Sequence, residues 1–167
     1  MDNAVVLFLL RAIHVVGGVL WVGAVFLTTF YLLPATTALG PAAQPMMQFI
    51  MGRRKLSVYM MVLAILTTLA GALLMWRNIS LTGGAWAHSP AGIGFSAGAA
   101  AAILAFIVGM TVNAPAAKRM SGPPKPGVPP LTDAERARLM GRIGLGSRLV
   151  VVLLGIAALL MATARYY

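Results

Sequence analysis

Cysteine is absent from this chain, and acidic residues are nearly so. The first absence excludes a disulfide scaffold, a cysteine-based zinc site, an iron–sulfur cluster and a thiol nucleophile. The second leaves Asp2, Asp133 and Glu135 as the only acidic side chains in 167 residues. None falls within a long apolar stretch, so there is no intramembrane carboxylate relay, which argues against a carboxylate-dependent proton pump or hydrolase. Charge of any kind is scarce, at 10% of residues, where soluble domains carry roughly 25%. No arrangement of serine, threonine and glycine matches a nucleophile elbow or a phosphate-binding loop.

What is present is hydrophobic. Apolar side chains make up 60% of the chain, and the mean hydropathy is +0.89. A bilayer core about 30 Å thick needs roughly 20 apolar residues per spanning helix. Four stretches qualify, at about 4–33, 56–76, 91–112 and 149–164. The expected fold is therefore all-α, an integral membrane four-helix bundle forming a single domain over residues 1–167. The N-terminus does not read as a cleavable signal peptide: Asp2 stands where a basic region belongs, and the apolar run is too long.

The net charge of +10 suggests at first an anionic partner such as nucleic acid. Its distribution points elsewhere. Arg53, Arg54 and Lys55 occupy the first connection, and Lys118, Arg119, Lys125, Arg136, Arg138, Arg142 and Arg148 the third. Only Arg11, Arg77 and Arg165 fall on the other side. Lys and Arg concentrate in cytoplasmic loops. Both termini are thus expected outside (periplasmic), in a multi-pass protein of a bacterial inner membrane, with lipid and no nucleic acid as partner.

Residues 121–130, SGPPKPGVPP, read as an extended proline-rich tether. Thr132 and Glu135 then match a capping box, so a helix should begin there and run into the fourth span. Arg136, Arg138 and Arg142 supply charge for anionic headgroups beside Leu139, Met140 and Ile143, or serve simply as topology determinants. A further helix is expected from Pro45 toward the second span. Small residues recur at four-residue spacing, as Ala64, Thr68 and Ala72 and as Gly94, Gly98 and Ala102; such stripes let helix backbones approach in lipid.

Against this background His14 stands out as the only histidine within a span. Buried ionisable residues in membranes usually face the bundle interior. Arg11, His14, Gly18 and Trp21 share one helix face. A glycine one turn from a histidine leaves room for a flat ligand, which suits a porphyrin with His14 as axial ligand. The same face also suits a quinone, a metal ion, or a histidine that merely bonds a neighbouring helix. Arg11, Arg77 and Arg165 lie on the His14 side, where basic groups pair with porphyrin propionates. His88, in the second connection, is either a second metal ligand near His14 or an exposed loop residue. Eleven methionines, among them the cluster Met46, Met47 and Met51, raise copper, because thioethers suit Cu(I); methionine is also an adaptable core residue.

The run from Leu10 to Gly23, LRAIHVVGGVLWVG, resembles the opening of small four-helix membrane proteins that include the copper-resistance CopD-like domain and the HemJ-type protoporphyrinogen oxidases. The likeness continues through Tyr31-Leu32-Leu33-Pro34, Arg53-Arg54-Lys55-Leu56 and the Thr67-to-Gly71 stretch, covering about the first 76 residues. It implies a bundle associated with haem b or another porphyrin, or one that handles copper, with His14 as candidate ligand. Two departures argue against protoporphyrinogen oxidation: the third span carries no lysine, and no second histidine follows Tyr31-Leu32-Leu33-Pro34. Three functions are carried forward: a haem-binding protein with a redox or accessory role, a copper-handling protein using His14 and His88, and a non-catalytic subunit or assembly factor of a membrane complex, including a homo-oligomer.

Overall fold

The computed structural model describes residues 3–121, 127 and 129–166. Every regular element among them is helical. Four helical runs are long and apolar enough to cross a membrane: Ala4–Arg53, Leu56–Leu81, Pro90–Met120 and Asp133–Tyr166. Most of the expected proline-rich tether lies outside the described residues.

The first run outlasts its expected end at residue 33. Asn3 caps α1 (Ala4–Leu27), its side chain accepting from the Val5 N–H at 2.9 Å. A π-helical turn at Thr28–Leu32 then leads into α2 (Leu33–Leu39), which holds Pro34 near its start. The wider turn, with proline in the first turn of the next segment, carries the helix past a residue that has no N–H to donate. The Thr28 and Thr29 hydroxyls each donate to carbonyls four residues back, at 2.7 Å. The direction changes at Gly40, whose φ of +53° suits glycine. A 3-10 turn, the short α3 (Gln44–Met47) and a second π turn at Gln48–Arg53 follow. This agrees with the helix expected near Pro45.

Lys55, in the left-handed region at φ 53°, separates this run from α4 (Leu56–Leu81). Gly83 and Gly84, both at positive φ, turn the chain through a 3-10 segment at Ala85–His88. Ser89 then caps α5 (Pro90–Val108) by accepting from the Gly92 N–H at 3.0 Å. A third π turn, Gly109–Asn113, joins α5 to α6 (Ala114–Ser121). The last helix, α7 (Asp133–Thr163), opens with the anticipated capping box: the Thr132 hydroxyl accepts from the Glu135 N–H, and the Glu135 carboxylate accepts from the Thr132 N–H at 2.9 Å. The Thr132 N–H and hydroxyl, both donating to that carboxylate, and Arg119 nearby hold the Glu135 carboxyl below its usual range.

The bundle is two close pairs. α1 runs along α4, α5 runs along α7, and the pairs meet less extensively. Where all four helices come together, Trp21, Val25, Leu63, Ala64, Ala105, Val150 and Leu154 form the core. Large apolar side chains on every long helix face outward, among them Phe8, Leu69, Leu104 and Leu159. An apolar surface of this extent fits a lipid environment and would be a liability in water.

Two expected stripes fare differently. Gly94 and Gly98 do face α7: a Cβ on Gly94 would lie 3.1 Å from the Ala164 Cβ, and one on Gly98 would lie 2.8 Å from the Met161 Cγ and 3.2 Å from the Ala157 carbonyl oxygen. In α4, Ala64 is buried but Ala72 is exposed. The line of α4 that meets α1 is Ala64, Thr67 and Gly71 instead.

Candidate functional site

The α1·α4 interface is built around His14. Its Nδ1 lies 2.9 Å from the Thr67 carbonyl oxygen. A carbonyl only accepts, so Nδ1 carries the proton, and in the neutral ring the lone pair resides on Nε2. The ring packs on Gly71, where a Cβ would come within 2.6 Å of Cε1 and 2.8 Å of Nδ1. Glycine at 71 is thus what lets an imidazole lie against α4. Three residues further along α1, Gly17 is buried and meets the Thr67 side chain, whose Oγ1 would be 2.5 Å from an added Cβ. That hydroxyl is itself buried without a hydrogen-bond partner among the described residues.

Beside His14 and Gly18, the face expected to carry chemistry is filled by α4. Gly18 looks onto the Thr67 methyl, 3.6 Å from where its Cβ would be, so the room foreseen beside it is taken by a side chain. Trp21 is 6% exposed and belongs to the common core. Arg11 is exposed. Arg77 is half-buried six residues beyond Gly71 on α4, toward the end of the pair where α1 begins. His14 itself is half-buried. It sits seven residues from Trp21, or about 10 Å along the helix, outside the core where all four helices meet.

His88 is exposed in the turn before α5. That turn is tied to α5 by stacking of Trp86 on Phe95, with centroids 6.0 Å apart, and by the Ser89 hydroxyl donating to the Trp86 carbonyl at 2.7 Å. No hydrogen bond joins His88 to His14 among the described residues. Nor, among them, do three or more His, Asp or Glu side chains gather as a metal-binding group. In the methionine cluster, Met46 is exposed on α3 and the Met51 sulfur accepts from the Ser57 hydroxyl at 3.4 Å.

Sequence reasoning passed over Thr67 and Gly71 as site residues. A signal for the second was present: Gly71 is the only glycine of the second span, in an antiparallel hairpin opposite the only histidine of the first. The first contributes a backbone atom, which no side-chain pattern announces. The chain matches no family model, no curated protein and no solved structure.

Proposed function

We propose that this is a multi-pass protein of the bacterial inner membrane, with both basic connections in the cytoplasm and both termini outside, that binds haem b or a related porphyrin through His14 in its outer half. The asymmetric distribution of lysine and arginine supports the orientation. The observation that carries the ligand assignment is the hydrogen bond from His14 Nδ1–H to the Thr67 carbonyl. Histidines that ligate metals almost always donate their other ring N–H to a carboxylate, a backbone carbonyl or water, which fixes the tautomer and aims the ring. His14 has that arrangement, with Nε2 as the remaining donor. Arg11 and Arg77, two of the three basic groups assigned to the same half, are suited to propionate carboxylates. Bound haem iron would supply one-electron redox chemistry; the protein would supply the His14 imidazole nitrogen and an apolar surround.

An absorption spectrum of the detergent-purified protein from haem-replete cells tests the reading, with metal analysis on the same sample to separate iron from copper. A Soret band that His14→Ala abolishes is the expected result. A colourless, haem-free preparation overturns the assignment, leaving His14 as a clasp between two helices.

A further inference from the structure

At the opposite end of the molecule from His14, α6 and the first turns of α7 border an open cleft of about 650 Å³. This falls within the ~300–1,000 Å³ typical of small-molecule sites. Arg119, Arg138 and Arg142 line it, together with Leu139 and Leu145. Glu135 is the one acidic residue in that lining beside the three arginines, and its carboxylate is already engaged by the Thr132 N–H and hydroxyl at 2.9 and 3.0 Å. Arg119 spends one of its donors on the Pro129 carbonyl, at 3.2 Å. The cleft therefore has an excess of planar, phosphate-matching donors. It also has an apolar side: Leu145 is 74% exposed and lies four residues before the apolar stretch beginning near Leu149. Positive groups set beside outward-facing leucine at the edge of an apolar span match an amphiphile, whose phosphate takes the arginines and whose acyl chains take the leucine.

We propose that the Arg119–Arg138–Arg142 cleft is a binding site for the headgroup of an acidic phospholipid of the inner leaflet. The site is separate from His14 and needs no pigment, so its fate and that of the haem assignment are read independently.

The test uses the full chain in detergent, stripped of lipid, and native mass spectrometry with added phosphatidylglycerol, phosphatidylcholine or inorganic phosphate. Phosphatidylglycerol is expected to bind about tenfold more tightly than phosphatidylcholine, the size of effect that one or two charge-assisted hydrogen bonds produce. The double variant Arg138→Lys/Arg142→Lys keeps the positive charge, and with it the orientation, but loses the bidentate fork; it should forfeit most of that preference. Arg136→Lys/Arg148→Lys, with as many changes outside the cleft, should retain it. Gly141→Leu fills the cleft from a position where an added Cβ meets nothing within 4 Å and improves helix propensity. It should fold and should also block the lipid, whatever becomes of the arginine variants. Equal binding of the two lipids, equal loss from both arginine pairs, or undiminished binding by Gly141→Leu overturns the proposal. Displacement of phosphatidylglycerol by millimolar inorganic phosphate also overturns it, assigning the cleft to the free anion.

Discussion

In the α1·α4 pair the helices are clasped by His14 Nδ1 on the Thr67 carbonyl at 2.9 Å, whereas in the α5·α7 pair the clasp lies in the π turn that extends α5, where the Asn113 amide donates to the Ser147 hydroxyl at 3.3 Å. Both lie beside a glycine that admits the polar group, Gly71 for the ring and Gly146 for the amide. They differ in the acceptor. A backbone carbonyl cannot rotate or exchange roles, so it sets the tautomer of the histidine and leaves one nitrogen with a defined lone pair. An amide and a hydroxyl each donate and accept, so that pair has no fixed sense, and the Asn113 Oδ1 is left buried with no partner among the described residues. The first arrangement fixes which ring nitrogen bears the proton; the second leaves the sense of its bond open. The remaining α5·α7 glycines, Gly94 and Gly98, admit only backbone and aliphatic atoms, which reinforces the division between a pair joined through an imidazole and a pair joined mainly by packing.

Two alanine substitutions break that comparison most directly. Gly71→Ala drives a methyl into the His14 ring, and a short, stiff side chain bonded to the opposite helix has no way to yield and keep its bond. The variant is expected to lose the Soret band as completely as His14→Ala does. Gly98→Ala meets the flexible end of Met161 and a tight Ala157 carbonyl; it should cost about 1–3 kcal/mol as an overpacking change and leave the spectrum intact. Loss of the band in both variants, or in neither, would remove the distinction between the pairs.

Next in size is Gly146→Ala. An added methyl there collides with the Asn113 amide oxygen and lies 3.1 Å from a Val112 methyl carbon, which separates Asn113 from Ser147. Destabilisation of about 1–3 kcal/mol is expected, of which the hydrogen bond itself accounts for roughly 0.6–2 kcal/mol, as interhelical bonds in membranes do. Denaturant titration in mixed micelles, followed by circular dichroism, measures it. A parallel change in haem binding would show that the second pair is not merely packing.

Thr67→Val is the counterpart on the first pair, and its sign is opposite. The Thr67 hydroxyl is buried with no partner among the described residues, so an isosteric methyl removes an unmet desolvation cost while the backbone carbonyl that holds His14 stays in place. Stability should be unchanged or should rise by up to about 1 kcal/mol, with the spectrum preserved. A loss of stability in the same titration would mean that the hydroxyl has a partner after all.

The legibility of these features in the sequence follows from their physics. Length and hydropathy announce the four helical runs because a bilayer-spanning helix has no other means of satisfying its backbone. The capping box at Thr132 and Glu135 is equally readable, since both donors and both acceptors lie within four residues. The α4 stripe misleads because small residues lie on several lines of that helix, and only the partner helix decides which line is buried: Thr67 and Gly71 meet α1 while Ala72 looks outward. The continuation of the first helix beyond Pro34 depends on a π turn, a backbone adjustment with no residue signature. The His14 face is visible in the heptad-like spacing, but what fills the space beside Gly18 is a threonine methyl from a distant part of the chain.

The smallest expected effect concerns how the two pairs begin at their shared basic end. α4 starts after Lys55 with no side-chain cap, whereas α7 starts with the reciprocal Thr132–Glu135 box. Only the second start carries acidic side chains, Asp133 and Glu135. The Thr132 N–H and hydroxyl, aided by Arg119, hold the Glu135 carboxyl below the ordinary glutamate value of 4.5. A carboxylate lowered in the folded state contributes stability that is fully present above its unfolded value and is lost as pH falls through its folded value. The first turn of α7 should therefore be intact at neutral pH and should fray as pH drops below about 4.5, while the first turn of α4 responds to none of this. Amide hydrogen exchange, corrected for intrinsic rates, should show protection of the Arg136 N–H, which bonds to the Thr132 carbonyl at 2.9 Å, falling over that window. Protection of the Tyr59 N–H, bonded to the Lys55 carbonyl at 3.0 Å, should stay level, and Glu135→Gln should flatten the α7 response. Equal acid sensitivity at the two helix starts would mean that the loss comes from general charge repulsion among the basic residues of both connections rather than from the cap.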